Sequence, residues 1–199
     1  MYESSNIPHN EDSHYLDSNS PYFGVASMKV FSENLCEFYA KLGKTKYTAI
    51  RHSNIFGPYD KFDLDKCHLV PAMIRKVLEQ DAIQVIGAKD NEARRDILYI
   101  DDLINFIDLC IQKQTNNYEL LNCGYEKAFS VTEIIDAIQN IAGTDKSIIY
   151  NDNKKNIATC TILDCSKARK LLNWYPKTSV QVGLRQTIEY YKNEIQSKQ

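Results

Sequence analysis

Arg94 and Arg95 open a short apolar stretch that runs over residues 94–99. A planar guanidinium group can bind two phosphate oxygens at once, so a pair of arginines at such a place can hold a diphosphate. The same arginines would also suit the solvated end of a strand, and a motif of this length fits both interpretations. An upstream stretch, residues 51–58, carries Asn54 at the end of another apolar segment. The order and spacing of the two stretches favour the phosphate-binding interpretation.

Length, charge and cysteine spacing limit the classes of protein to which this chain can belong. The 199 residues are enough for one domain with a hydrophobic core, and a net charge of −2 argues against nucleic acid or an anionic membrane as partner. No apolar run is long enough to span a bilayer, and no signal peptide is visible at the start. None of the six cysteines forms a Cys-x-x-Cys pair, so no metal site is expected and a reduced, cytoplasmic protein is predicted.

One long helix is predicted early in the chain. Residues 1–19 are polar and predict a loop, and apolar residues then recur at helical spacing from Val25 to Leu42. Ser20 is the predicted N-cap, with Pro21 at the first helical position and Gly43 at the stop.

Helices and single strands alternate over the rest of the chain, which predicts an α/β fold. The predicted strands are residues 47–50, 82–86, 96–100, 118–123 and 147–150. The predicted helices are residues 69–80, 103–113, 166–173 and 179–193, together with one that follows a capping box at Ser130 and Glu133. Tyr99, Leu103, Ile104 and Phe106 are predicted to be core residues.

The glycines exclude one kind of site. The chain has seven, and no two lie within three residues of each other. It therefore contains neither a G-x-G-x-x-G motif nor a P-loop, and carries no dinucleotide-binding fingerprint of its own.

The order of motifs resembles the carboxy-terminal part of an extended short-chain dehydrogenase/reductase of the NAD-dependent nucleotide-sugar epimerase/dehydratase family. The members most similar in motif are those like GDP-L-fucose synthase. The segments that carry the resemblance are residues 2–11, 54–62, 67–76, 164–176 and 183–188, so the likeness covers nearly the whole chain.

The resemblance implies a partial Rossmann-like parallel sheet that lacks its N-terminal strands, with a smaller C-terminal substrate-binding lobe. Residues 1–58 and 96–123 would belong mainly to the Rossmann part, and residues 59–95 and 124–199 mainly to the lobe. The family's glycine-rich loop and its catalytic Ser or Thr lie in an amino-terminal half that this chain lacks. We expect a truncated reading frame, a split gene or one half of a two-chain enzyme.

The family's acid–base pair is a tyrosine and a lysine four residues apart on one helix face, where the ammonium lowers the pKa of the phenol. Tyr22 and Lys29 are the matching candidates, but they are seven residues apart. A helical rise of 1.5 Å per residue would separate them by about 10 Å, so either Tyr22 reaches in from an irregular first turn or the tyrosine function is lost. Each residue also suits an ordinary structural role, Tyr22 in helix capping and Lys29 on a solvated face.

Further site residues follow from the resemblance. His68 matches a histidine that serves as an acid in epimerisation, a role suited to an imidazole near neutrality. Arg95 and Lys76 match the basic residues on the substrate diphosphate, whereas Arg94 would be a surface neighbour. The family segment beside the nicotinamide and the sugar corresponds to His52, Ser53, Asn54 and Ile55, and Lys29 and His68 would also face the cofactor.

One departure from the family pattern affects these assignments. Ile86 stands where fucose synthases have a tryptophan, which puts a guanine or sugar preference in doubt. Lys154 or Lys155 would be a further phosphate contact. Asn54, His68 and Lys76 each also suit a structural or solvated role.

Two functions are therefore carried forward. The first is an NAD(P)-dependent nucleotide-sugar epimerase/reductase that binds NADP or NAD only if the absent half is supplied. The second is a non-catalytic remnant or binding subunit that holds a nucleotide-sugar diphosphate or pairs with an intact paralogue. Either would act as a homo-oligomer or with a complementing chain, because a half sheet leaves an edge and an apolar face uncovered.

Overall fold

The computed structural model describes residues 4–13, 16–20, 22–87, 93–151 and 160–198. The helices are α1 (Phe23–Ala40), α2 (Leu69–Glu79), α3 (Ile100–Lys113), α4 (Val131–Ala142), α5 (Ser166–Leu172) and α6 (Val180–Tyr190), and α6 continues as a π-helical turn over Tyr191–Ile195. The strands are β1 (Tyr47–His52), β2 (Asn54–Phe56), β3 (Ile83–Ile86), β4 (Arg94–Tyr99), β5 (Tyr118–Cys123), β6 (Ala128–Ser130), β7 (Ile148–Asn151) and β8 (Cys160–Thr161). The α/β class is confirmed.

Most strand pairs are parallel. β1 pairs with β5, β2 with β4, β3 with β7 and β4 with β8 in parallel, whereas β4 and β6 are antiparallel. β4 therefore lies among three partners and joins the parallel strands to the antiparallel one. Short β2, β6 and β8 were not predicted, because segments of two or three residues carry no periodicity of their own.

The two faces of β4 belong to two hydrophobic cores. Ile97 and Tyr99 pack with residues of α2, α4 and α6. Leu98, between them, packs with Phe106 of α3 and Leu121 of β5. This alternation follows from the two-residue period of a strand. It makes β4 the common wall of both cores.

The N-terminal loop is fastened to the ends of β1 and β5. Arg51 donates to both carboxylate oxygens of Glu33 on α1, at 2.8 and 2.7 Å, and also donates to the carbonyl oxygens of Glu11 and Ser13. Glu11 is buried and its carboxylate accepts the backbone N–H of Asn122 at 2.7 Å. One guanidinium thus joins α1, β1 and the loop that precedes them.

Several predicted helix boundaries are wrong, and so is the predicted burial of Ile104. α1 begins at Phe23 with Tyr22 as N-cap rather than Ser20, and Pro21 lies outside the described residues. It ends at Ala40, and Gly43 closes the following turn with φ of 70°. α3 starts at Ile100, three residues early, and Ile104 is 57% exposed instead of buried.

The apolar stripe of α1 is exposed. The helix buries only Ala26 and Ala40 among its 18 residues. The exposed side chains repeat at alternating spacings of three and four residues: Met28, Phe31, Leu35, Phe38 and, just past the helix, Leu42. Helices that pack against each other carry apolar residues at this spacing, so these side chains form a seam on α1 that no other helix covers among the described residues.

No helix in the described part of the chain is long and apolar enough to cross a membrane.

Candidate functional site

Arg95 and Asn54 lie on one face of the β2–β4 pair. Asn54 is in register with Ile97, and parallel partners in register point to the same side. Arg95 precedes Ile97 by two residues, so its side chain shares that side. The Asn54 amide donates to the carbonyl oxygen of Asp96 at 3.1 Å, which fixes its position. The structure therefore brings together these two residues, which the sequence predicted as substrate-binding.

The Arg95 guanidinium is half-buried. Its Nη1 donates to the carbonyl oxygen of Arg94 at 3.1 Å, which folds the side chain back along β4. Burial lowers the pKa of Arg95, and negative charge on Tyr22 or Cys160 would raise it. Tyr22 and Cys160 therefore lie within electrostatic range of the guanidinium. A cation taken partly out of water in this way is stabilised by an anion, and a diphosphate would supply two negative groups.

Arg94, one residue away, is placed quite differently. It forms an ion pair with Glu133 at 3.0 Å and donates to the carbonyl oxygen of Ala128 at 2.9 Å. Glu133 also completes the predicted capping box of α4 with Ser130. Arg94 therefore fastens β4 to β6 and α4, which makes it a natural control for Arg95.

Tyr22 and Lys29 lie at different places along α1. Tyr22 is the N-cap, with φ of −97° and ψ of 4°, and is 58% exposed. Lys29 lies in the second turn and lines an open concavity of 350 Å³ together with Gly24, Val25, Met28 and Ser32. Tyr22 does not line this concavity. Tyr22 therefore occupies the helix-start position of the structural role considered for it, and its side chain makes no capping hydrogen bond.

The segment after β1 makes its own local bonds. His52 is exposed, and its Nδ1 lies 2.7 Å from the carbonyl oxygen of Ser53. The Ser53 N–H donates to the carbonyl oxygen of Cys123 at 2.9 Å, which joins the carboxyl ends of β1 and β5. The Ser53 hydroxyl oxygen is buried without a hydrogen bond of standard geometry among the described residues. Ile55 packs against the core beneath α3.

His68 and Lys76 lie on α2. His68 is the N-cap, with its side chain 77% exposed and its Nδ1 3.8 Å from an Asp60 carboxylate oxygen. Lys76 donates from Nζ to the carbonyl oxygen of Gln84 at 2.7 Å, and burial lowers its pKa while the nearby Cys67 raises it. Lys76 is therefore tied to β3 in this state. Lys154 and Lys155 lie outside the described residues.

Sequence reasoning missed Asp96. Its side chain is 1% exposed and accepts three backbone N–H groups, from Tyr125, Glu126 and Leu163. The signal was present, because an acidic residue that interrupts an apolar strand must find partners inside the protein. Asp102, in the first turn of α3, is a second buried acid, and its carboxylate accepts the N–H groups of Lys177 and Thr178.

These residues match only part of what a nicotinamide dinucleotide site needs. Lys29 and Ser32 offer a cation and a hydroxyl at the concavity on α1. The sequence has no glycine-rich turn to receive the dinucleotide pyrophosphate at a helix start. The given sequence therefore does not supply the glycine-rich part of such a site. No group of three metal-ligating side chains occurs in the described ranges either.

Several known proteins are similar to this chain. The chain is 28% identical to GDP-L-colitose synthase of Yersinia pseudotuberculosis, covering 86% of this chain and 56% of that protein. It is 27% identical to GDP-L-fucose synthase of Sinorhizobium fredii, covering 90% and 57%. A UDP-glucose 4-epimerase from Thermotoga maritima, solved with UDP-glucose, superposes with a TM-score of 0.81 at 29% identity, covering 96% of this chain and 59% of that one.

The chain thus spans a little over half the length of these relatives. The described strands agree with a partial Rossmann-like sheet, as the resemblance implied. The model of the NAD dependent epimerase/dehydratase family matches residues 1–124, which include α1, the β2–β4 face and Arg95. With that match over more than half of its length, the chain belongs to the NAD dependent epimerase/dehydratase family.

Proposed function

We propose that this chain forms the nucleotide-sugar-binding wall of an NAD(P)-dependent epimerase/reductase similar to GDP-L-fucose synthase. The observation that carries the proposal is the shared face of Arg95 and Asn54, with the Arg95 guanidinium half-buried there. A fork-shaped cation with a polar amide beside it matches a diphosphate next to a hexose. Two of the named relatives are synthases of GDP-sugars and the third is an epimerase solved with UDP-glucose, which agrees with a diphosphate ligand.

Each residue has a proposed part. Arg95 holds the diphosphate, and Lys76 joins it by exchanging the Gln84 carbonyl for a phosphate oxygen. The carbonyl oxygen of Asn54 accepts a sugar hydroxyl while its amide stays on Asp96. His68 protonates a hexose carbon, and its Nδ1 lies 3.8 Å from an Asp60 carboxylate oxygen.

Tyr22 and Lys29 remain the proposed proton-exchanging pair, with weak direct coupling at a seven-residue spacing. His52, Ser53 and Ile55 line the cofactor side of the segment after β1, and Lys29 and His68 also face it. NADP or NAD would be held jointly with a glycine-rich segment that this sequence does not contain.

Two exposed helices support a complementing chain or a second copy as partner. Tyr118 of β5 lies near Glu33 and Glu37 of α1. Leu121, three residues further along the strand, points to the opposite face and packs with Phe106 of α3. α1 and α3 therefore cover opposite faces of the β1–β5 pair. Both expose apolar side chains; on α3 these are Ile104, Ile107 and Ile111. Among the described strands β1 pairs only with β5, which leaves room for an added strand between the two helices.

The second candidate, a binding subunit without turnover, is favoured by the place of Tyr22. Tyr22 is the N-cap of α1, seven residues from Lys29 rather than one turn from it. Both functions require the same diphosphate site, so binding tests them together. Turnover after the complementing chain is added separates them.

Calorimetric titration of the purified chain with UDP-glucose, GDP and NADPH tests the proposal. We expect saturable binding of UDP-glucose or GDP and much weaker binding of NADPH. Tight NADPH binding would contradict the partial match to a dinucleotide site, and no binding of either UDP-glucose or GDP would contradict the diphosphate site.

A further inference from the structure

Asp96 joins three segments through one buried carboxylate. Its Oδ1 accepts the N–H of Tyr125 at 2.8 Å, and its Oδ2 accepts the N–H groups of Glu126 at 3.1 Å and Leu163 at 3.3 Å. Tyr125 and Glu126 form the turn after β5, and Leu163 precedes α5. The strand that carries Arg95 is thus bonded directly to the carboxyl end of β5.

The turn after β5 is shaped around that carboxylate. A Cβ at Gly124 would lie 2.8 Å from the Asp96 Oδ2, so only glycine leaves the oxygen its place. Glu126 has φ of 62°, a left-handed conformation that non-glycine residues adopt only when their surroundings hold them. Its backbone N–H is held by Asp96, and its carboxylate accepts the N–H of Cys165 at 2.9 Å.

The main chain of Asp96 holds the proposed substrate residues. Its carbonyl oxygen accepts the Asn54 amide, and Arg95 is the preceding residue. Ser53, next to Asn54, is bonded through its N–H to Cys123 at the end of β5. A shift of the Asp96 side chain relative to the turn therefore moves Arg95 and Asn54 relative to the ends of β1 and β5.

The groups around Asp96 determine how readily it takes a proton. The thiols of Cys123 and Cys165 face it from β5 and from the start of α5, and burial raises the pKa of both thiols, so they stay neutral. The Glu126 carboxylate lies in the same turn and is paired with Arg169 of α5. Burial raises the pKa of Asp96 to about 6, against the lowering effect of its N–H donors and of the Ser53 hydroxyl.

We propose that Asp96 is a positioning residue. Its ionised carboxylate holds the β2–β4 face that carries Arg95 and Asn54 to the ends of β1 and β5, an attachment called the lock below, and protonation of Asp96 loosens this attachment. The substrate part of this inference rests on the proposed function. The protonated carboxyl has one acceptor oxygen fewer for three N–H donors, so the turn or the Leu163 segment loses a bond. Arg95 and Asn54 then lose their fixed relation to the strand ends, and nucleotide-sugar affinity falls in mildly acidic solution.

The lock is tested without any ligand by following amide resonances against pH. In the wild-type chain, the N–H signals of Tyr125, Glu126 and Leu163 are expected to shift together with a midpoint of about 6. Asp96→Asn should abolish this shared titration, and Asp101→Asn, at an exposed acid on α3, should leave it intact. Signals that do not move with pH, or that move equally in Asp96→Asn, would overturn the lock.

The effect on substrate is tested by UDP-glucose affinity at pH 5.5 and 7.5, since the diphosphate of UDP-glucose does not titrate in that range. We expect the wild-type affinity to fall about three- to fourfold at the lower pH, because a carboxyl group with a pKa of about 6 is roughly three-quarters protonated at pH 5.5. Asp96→Asn should bind weakly at both pH values, with the pH effect gone. A pH effect that survives in Asp96→Asn would assign it to another group and contradict the proposal.

The two tests separate the two claims. If UDP-glucose and GDP do not bind the wild-type chain but the three amides titrate together, the proposed function fails and the lock stands. If ligands bind but the amides do not titrate, the lock fails and the proposed function stands.

Discussion

Gly124 and Asp96 are in contact across the end of β5, where a Cβ at position 124 would lie only 2.8 Å from the carboxylate oxygen of Asp96. The neighbouring Leu163 Cβ would be 3.1 Å away, so the added methyl group has no direction in which to relax freely. The pair explains why a buried turn after a strand carries glycine here without a positive φ.

Gly124→Ala is therefore expected to destabilise the protein by about 1–3 kcal/mol, the range typical of overpacking. The measurement is the free energy of unfolding from urea titration. Gly24→Ala is the matched control, because a Cβ at Gly24 meets nothing within 4 Å and the residue lies in α1. The control should gain up to about 1 kcal/mol from helix propensity. Equal effects at the two positions would contradict the close contact.

The pH dependence of stability follows from the raised pKa of Asp96. Its pKa rises from an ordinary 3.8 to about 6 in the folded state, so folding favours the protonated form. Stability from this group is therefore fully present at pH below 4 and is lost as pH rises to about 6. The loss is at most about 3 kcal/mol.

The measurement is the difference in unfolding free energy between the wild type and Asp96→Asn across that pH range. This difference isolates Asp96 from other titrating groups. The unfolding free energy of the wild type relative to Asp96→Asn should fall between pH 4 and 6 and then stay constant. A difference independent of pH would mean that Asp96 keeps an ordinary pKa.

The ion pair between Arg51 and Glu33 predicts a second stability effect. Both side chains are mostly buried, at 13% and 17% exposure, and the two-point geometry is specific to a guanidinium. Arg51→Lys should lose about 1–3 kcal/mol by urea titration, although the charge is kept. Glu37→Gln, which breaks the exposed pair with Lys41, should change stability by less than about 0.5 kcal/mol. A neutral result at Arg51 would show that the N-terminal loop is not held by this bond.

Elements that are stabilised by contacts between residues close in sequence could be predicted from the sequence. Ser130 and Glu133 predicted the start of α4, because the capping box is a contact between residues three apart. Strand β4 was predicted from Asp96 onward but starts at Arg94, since Arg94 and Arg95 become strand only by pairing with β6 and β8. Such pairing depends on distant segments and leaves no mark on the local sequence.

The site was predictable in part for the same reason. Arg95 and Asn54 were found from the order of motifs, and the register of β2 on β4 places them together. The periodicity of α1 was recognised, but periodicity does not tell which partner covers an apolar stripe. The place of Tyr22 at the helix N-cap depends on where α1 begins, which sequence signals misplaced by two residues.

The exposed seam of α1 predicts self-association of the chain at micromolar concentration. Phe31 is 54% exposed in the middle of the seam. Phe31→Lys should shift the sedimentation profile toward monomer, because a charge at the seam opposes helix packing. Asn34→Lys, which adds the same charge beside the seam, should shift it much less. A wild-type chain that sediments as a monomer would contradict self-association through α1.

The central claim is that Arg95 holds a diphosphate, and its neighbour provides the comparison. Calorimetry with UDP-glucose should show at least a roughly tenfold loss of affinity for Arg95→Ala, an intermediate loss for Arg95→Lys, and a change within about twofold for Arg94→Ala. Arg94 is the control because its charge is already paired with Glu133. If Arg95→Ala binds UDP-glucose as tightly as Arg94→Ala does, the guanidinium of Arg95 does not grip the ligand and the account is contradicted.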